Sequence, residues 1–306
     1  SSGLSRKMMS ETFVVTLEIA SPLTEKGLSR VEKIMARVSD HVDAVNTTTN
    51  AGGVPSIHST RTAEVVKGHG VEAIIQFCGR DHRKEDFLDA FNSALDMGYQ
   101  NFLLLTGDWL PQEKRDVSQR TWFPMDSSQM IHFINERLHS YQDSHGVVPY
   151  LGCASNPFST PMDISVDRLH FKREAGARFS QTQAITHVPT YVEWYRQVRN
   201  GRRGDPKLTI PSIPLVGSRR AFEALCRLPG VYVDESLHKI MEQDNFQSAT
   251  LDWAFEIAEG VTEAGAAGIH AMNFGMPPEL IDEFLMQIRD RANAARERAS
   301  ETLENL

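Results

Sequence analysis

Glu18 stands inside an otherwise apolar, β-branched run, Phe13-Val14-Val15-Thr16-Leu17-Glu18-Ile19. A carboxylate in such a place is costly unless it is paired or working, and its pKa is expected to drift upward. That would suit a general acid at neutral pH. The plainer alternative is a glutamate paired with a base at the strand end. Asp108 closes a second apolar run, Leu103-Leu104-Leu105-Thr106-Gly107-Asp108, where Gly107 lets another group approach the backbone closely. It reads equally well as a helix cap or a turn residue. Gln183 ends a third run with a side chain that donates and accepts at once. Arg168 and Lys172, four residues apart, would clamp a phosphate or simply form a solvated helix face. The loop from Asn46 to Gly53 (Asn-Thr-Thr-Thr-Asn-Ala-Gly-Gly) offers hydroxyls and backbone amides to an anion or a polar ring edge, or is merely a turn.

Other chemistries lack their signatures. Cys78, Cys153 and Cys226 are isolated thiols with no CxxC pair, and the 11 histidines form no HExxH or HxH pair. No metal site or disulfide framework is expected, and a reducing cytoplasm is the natural location. The buried setting expected for Cys78 and Cys153 makes them small hydrophobes. No GxGxxG follows a strand and no GxxxxGK[ST] loop occurs, so a nucleotide cofactor would bind without those devices.

The elements that must position these residues alternate along the chain. Strands are expected at 13–19, 42–46, 73–77, 101–106, 147–152, 178–183, 208–214 and 268–272, as short continuous apolar runs. Amphipathic helices follow each, among them 127–142, 163–175, 188–199 and 278–290, with two extra helices near 219–227 and 235–243 before helix 247–263 and the last strand. Strands buried on both faces and alternating with helices indicate a parallel sheet. Eight such units favour a closed (β/α)8 TIM barrel, a single α/β domain over 12–290, against an open doubly wound sheet. Residues 1–11 read as a flexible polar tail and 291–306 as a helical surface tail or frayed end. With 32 basic against 40 acidic residues the net charge is −8, which argues against nucleic acid or an anionic membrane as partner. No apolar run reaches the ~18 residues of a membrane span, and the polar opening is not expected to be a signal peptide.

In this order, the same residues resemble a known family. Thr16-Leu17-Glu18-Ile19-Ala20-Ser21-Pro22 is similar to the first-strand motif of methylenetetrahydrofolate reductases. Leu105-Thr106-Gly107-Asp108-Trp109-Leu110-Pro111 resembles their Arg-Gly-Asp-hydrophobic-Pro segment. Lys172-Arg173-Glu174-Ala175-Gly176-Ala177, followed by Gln181-Thr182-Gln183, resembles their Lys-x-x-Ala-Gly-Ala and Thr-Gln stretch. The likeness runs in register from about residue 12 to 290.

The resemblance implies a flavin barrel in which FAD carries a hydride to 5,10-methylenetetrahydrofolate, giving 5-methyltetrahydrofolate in one-carbon metabolism. On it, Glu18 matches the acid that protonates N10, Asp108 the aspartate between flavin and pterin, and Gln183 the glutamine that holds the pterin. Asn46, Gln76, Thr106, Gly107, Asp108, Ser127, Asn156, Arg168 and Lys172 fall at flavin-lining positions, and no His or Cys stands in a matched site motif to share the acid's task. The chain departs from the pattern at Thr106, where the family has Arg, at Gln76 for His, and at Arg219, where an aromatic often stacks on the nicotinamide. A substrate-contacting Arg is missing near Asn273-Phe274-Gly275-Met276. The electron donor, NAD(P)H or a protein partner, is left open by these departures, as is a homo-oligomer. Two other readings stand beside the first: a flavin-free tetrahydrofolate methyltransferase barrel, and a folate- or flavin-binding subunit that needs an electron-transfer partner.

Overall fold

The computed structural model describes residues 1–108, 125–201 and 208–304. Trp109 to Pro111 of the aspartate motif and most of the basic loop after Asn200 lie outside the described residues. Eight strands are formed: β1 Val14–Ala20, β2 Ala44–Thr48, β3 Glu72–Cys78, β4 Asn101–Leu105, β5 Tyr150–Ser155, β6 Phe179–Ala184, β7 Thr209–Val216 and β8 Gly268–Phe274. They pair in parallel in that order, and β8 returns to β1 to close the barrel. Around them stand α2 Leu28–Val38, α3 Ser59–Gly68, α4 Lys84–Asp96, α5 Ser127–Asn135, α6 Leu138–His145, α7 Met162–Ala175, α8 Val188–Asn200, α11 Phe246–Glu263 and α12 Pro278–Glu304. Two more helices, α9 Arg219–Arg227 and α10 Glu235–Met241, occupy the expected place before α11 and the last strand.

Because side chains alternate along a strand, each strand feeds two cores. The outward set, including Val15, Leu17, Ile75, Phe77 and Phe102, packs under the helices. The inward set fills the lumen in layers. At the amino-terminal end it is apolar: Val14, Ala44, Ile74, Leu103, Phe179 and Ile210. Phe179 fits only because its neighbour is Gly152, where a Cβ would lie 2.2 Å from the ring. The next layer is polar, with Thr16, Asn46, Gln181, Ser212 and His270 all buried.

Several expectations are corrected here. Residues expected as a polar tail include a helix, α1 (Gly3–Met9), whose Leu4 and Met8 are buried in the apolar end of the lumen. Glu72 of β3 caps it, accepting from the Gly3 and Leu4 amides at 2.6 and 3.0 Å. A seven-residue helix is marginal alone, so this docking is what sustains it. The helix at 278–290 continues unbroken to Glu304 because Ala292 and Ala295 remain buried. Strand β5 starts at Tyr150, three residues later than expected, since Pro149 has no N–H to give a ladder. The single helix over 127–142 is two, α5 and α6, with the Arg137 guanidinium turned back onto the Phe133 carbonyl at 2.8 Å.

Asp43, just before β2, has a side chain only 3% exposed. It accepts from the Val15 amide at 2.7 Å, from Lys7 of α1 at 2.5 Å and from Arg289 of α12 at 2.6 Å. Arg289 also donates to the Phe13 carbonyl at 2.9 Å.

Candidate active site

A cavity of about 430 Å3 opens at the carboxyl ends of the strands, within the range of small-molecule sites. Parallel strands end there with their loops, so polar groups at strand ends converge on one space. Of the residues singled out in the sequence, Glu18, Gln76, Asp108, Asn156, Arg168, Lys172 and Gln183 line this cavity. Asn46, Thr106, Gly107 and Ser127 do not.

Glu18 lies on the inward face of β1, two residues beyond Thr16, with 26% of its side chain exposed. Gln76 of β3 donates to its Oε2 at 3.2 Å. His270 of β8 brings Nε2 to 3.7 Å from the same oxygen, an ion-pair distance rather than a hydrogen bond. The upward pKa expected of Glu18 is corrected. Burial pushes it up, but the His270 ring facing it, with the Gln76 amide, outweighs that and holds it below the usual glutamate value. A histidine therefore does share this position, contrary to expectation. Its signal was present in the sequence, since His270 interrupts the apolar strand Gly268–Met272 much as Glu18 interrupts β1.

Beneath them lies a network that motif matching also missed. The Asn46 and Gln181 amides pair reciprocally, Asn46 Nδ2 to Gln181 Oε1 at 2.6 Å and Gln181 Nε2 to Asn46 Oδ1 at 3.0 Å. Gln181 Nε2 also stands 3.3 Å from Thr16 Oγ1, and that hydroxyl is 2.8 Å from His270 Nδ1.

The cavity wall is more open. Gln183 reaches the Pro229 carbonyl at 3.4 Å, and Asp108 is exposed, its own carbonyl accepting from Arg80 at 3.3 Å. Asn156 is occupied in holding the rim, donating to the Gly230 carbonyl at 2.8 Å while accepting from the Phe158 amide at 3.0 Å. Lys172 donates to the Ala154 carbonyl at 2.8 Å. Arg168, one turn earlier on α7, is exposed at the cavity with no ion-pair partner among the described residues.

The positions outside the cavity are spent on structure. Thr106 Oγ1 accepts the Ser127 amide at 3.0 Å, at the start of α5, and Ser127 is buried. Gly107 has φ +91°, and a Cβ there would meet the Cys78 sulfur at 2.2 Å. The close approach expected at this glycine is thus made by Cys78, whose thiol burial pushes up to about 11. Arg219 is tied to the Met241 and Gln243 carbonyls, outside the cavity.

No helix among the described residues is long and apolar enough to cross a membrane. No protein of curated function matches the sequence. Among solved structures, the fold is similar to that of an uncharacterized protein from Clostridium thermocellum described as binding two copies of 5-methyl-5,6,7,8-tetrahydrofolic acid. The two superpose with a TM-score of 0.70 at 15% identity, over 95% of this chain and 99% of that one. At that identity the likeness speaks for the fold alone. Residues 4–295, nearly the whole chain, match the family model of methylenetetrahydrofolate reductase, and the chain belongs to that family.

Proposed function

We propose that the cavity takes a reduced folate and that the chain acts on its one-carbon unit, opening the bridge of 5,10-methylenetetrahydrofolate to a 5-iminium cation that an external hydride donor, NAD(P)H or a redox partner, reduces to 5-methyltetrahydrofolate. The observation that carries this reading is the convergence of Glu18, Asp108 and Gln183 on one cavity of about 430 Å3, in a chain of this family. The folate-binding title of the C. thermocellum protein supports it. In this reading Gln183 holds the pterin edge through its amide. Glu18 gives a proton to N10 as the bridge carbon leaves that nitrogen, and the Asp108 carboxylate faces the resulting 5-iminium cation.

FAD is the group the family implies, and the described residues do not fit it well. Of the positions carried over for the flavin, Asn46 is closed into an amide pair and Thr106 caps Ser127. Gly107 is filled against Cys78, while Asn156 and Lys172 hold backbone carbonyls. No step is therefore routed through a flavin. Flavin-dependent reduction stands as the second reading, favoured by Arg168 and Lys172 side by side on α7, the cations a diphosphate needs.

Calorimetry with 5-methyltetrahydrofolate, beside a visible spectrum of the purified protein, tests both. Saturable folate binding without a flavin band is expected; a protein that binds no reduced folate refutes the proposal. A stoichiometric flavin bleached by NAD(P)H would establish the second reading in its place. Turnover with NADH or NADPH alone then separates a nicotinamide donor from a protein partner.

A further inference from the structure

Arg80 belongs to the turn Gly79–Asp81 that follows β3, and its side chain is only 9% exposed. A guanidinium is charged at any working pH, so shielding it from water is costly unless its N–H groups are answered. Here they are shared among three loops. Nε and Nη2 hold the Asp81 carboxylate at 2.9 and 3.4 Å, fork to fork. Nη2 also donates to the Asn50 carbonyl at 3.2 Å, beyond β2, and Nη1 to the Asp108 carbonyl at 3.3 Å, beyond β4. The Arg80 backbone amide joins the same strand end, donating to the Thr106 carbonyl at 3.1 Å. The two ends of this bridge differ. Asn50, left-handed at φ +51°, is closed onto Ser56 by two bonds, its amide to Ser56 Oγ at 2.9 Å and the Ser56 amide to its Oδ1 at 3.0 Å. That end is an anchor. At the other, the bond from Arg80 is the only hydrogen bond Asp108 makes among the described residues, although Asp108 is exposed and lines the cavity. Gly107, immediately before it, lies against Cys78 and the stem of Arg80, since an added Cβ would stand 2.2 Å from the sulfur and 3.0 Å from the Arg80 Cβ.

We propose that Arg80 is a positioning residue: it ties Asp108 to the anchored Asn50 loop and so sets where the Asp108 carboxylate stands in the cavity. What that carboxylate does there rests on the folate reading above; the tie itself rests on geometry alone. A charge that is to face a developing cation is effective when it is already in place, because it then costs no reorganisation at the moment of reaction. An exposed aspartate beyond a strand end does not have that fixity by itself. Arg80 supplies it from the neighbouring strand, without touching the ligand. The planar fork is what the task requires, since one group must reach oxygens of three loops at fixed angles. A lysine ammonium keeps the charge but lacks the fork.

Arg80→Lys tests the tie, and the three cysteines report on it. Cys226 is exposed, Cys153 is fully buried, and Cys78 is screened by Gly107. Alkylation by iodoacetamide, read at each cysteine by mass spectrometry, should be faster at Cys78 in the variant by about tenfold or more, the worth of one bond from a charged donor. Because lysine keeps a positive charge beside the thiol, that rate reads access rather than ionisation. Cys153 should stay protected, and Cys226 should react as in the wild type. An unchanged rate at Cys78 overturns the tie. If Cys153 opens as well, the variant has loosened as a whole; Asp81→Asn, which only weakens the grip on the guanidinium, must then show the selective rise at Cys78 or the proposal fails. In turnover of 5,10-methylenetetrahydrofolate with the donor that serves the wild type, Arg80→Lys should lower kcat by about ten- to a hundredfold with KM little moved. Made in the Asp108→Asn protein, the same substitution should lower it no further, since no carboxylate charge is left to place. An equal loss in both backgrounds would make Arg80 merely structural and overturn its positioning role. A wild type that binds no reduced folate sinks the folate reading instead, and the alkylation alone then decides the tie.

Discussion

Replacing Asn46 by Leu tests whether this residue belongs to the barrel or to a ligand. The substitution nearly conserves volume but removes both bonds of the amide pair. Gln181 Oε1 is left buried without a donor, while its Nε2 keeps Thr16 at 3.3 Å. One orphaned acceptor costs about 1–3 kcal/mol. Gln181→Met is harsher, because it strands both the Oδ1 and the Nδ2 of Asn46 and takes the donor from Thr16. Counting two orphans gives about 2–6 kcal/mol. The double variant replaces both partners with apolar groups of similar shape, which can be nearly neutral. The cycle should therefore be strongly non-additive, with the double variant more stable than the sum of the singles by at least about 2 kcal/mol. Guanidinium unfolding of the four proteins at constant slope gives the four free energies. Additivity within about 0.5 kcal/mol would refute the pairing. An Asn46→Leu protein of full stability that has lost a bound flavin would return Asn46 to its family position.

The other predictions concern the acid, the lumen and the plug. Glu18→Gln should keep the fold while lowering folate turnover by about 10²–10⁴; near wild-type turnover would remove it as the acid. The folded pKa of Glu18 lies below the ordinary glutamate value, so its ionisation stabilises the fold above that value and the contribution fades as pH falls through the folded one. The stability gap between wild type and Glu18→Gln should thus narrow between neutral and acid pH, and a gap that widens refutes the sign. Gly152→Ala should cost about 1–3 kcal/mol by driving a methyl into the Phe179 ring, and Phe179→Leu should relieve it; a thermal scan showing no relief would place the strain elsewhere. Leu4→Ala should cost about 2–5 kcal/mol, whereas an unchanged unfolding midpoint would mean that α1 does not plug the barrel in solution.

The barrel was legible because its strands are buried on both faces, so Val14–Ile19 and Asn101–Leu105 read as continuous apolar runs that no solvent-facing strand would show. The same property made Glu18 conspicuous. His270 carries an equal signal within Gly268–Met272, but it lies outside the family motifs, and a motif says nothing of what stands opposite across a lumen. Asn46, Thr106 and Ser127 illustrate the reverse difficulty. Position along a strand can be read from alternation, but whether a side chain faces a ligand or another residue depends on strands far away in sequence, as with the 135-residue span from Asn46 to Gln181. Helix α1 left almost no trace, since seven residues are too few to hold a helix without the surface that receives them.

Asp43 has a consequence for the order in which the protein can be made. Its cations lie on either side of it in the chain: Lys7 emerges from the ribosome before it, and Arg289 246 residues after it. The β1 edge likewise waits for β8, made some 250 residues later, as the Thr16 to His270 register shows. Until then a nascent chain carries an open sheet edge and a carboxylate lacking one of its partners, both poor candidates for stable burial. The barrel thus cannot close until β8 has been made, and whatever shields the growing chain must guard that first strand until then.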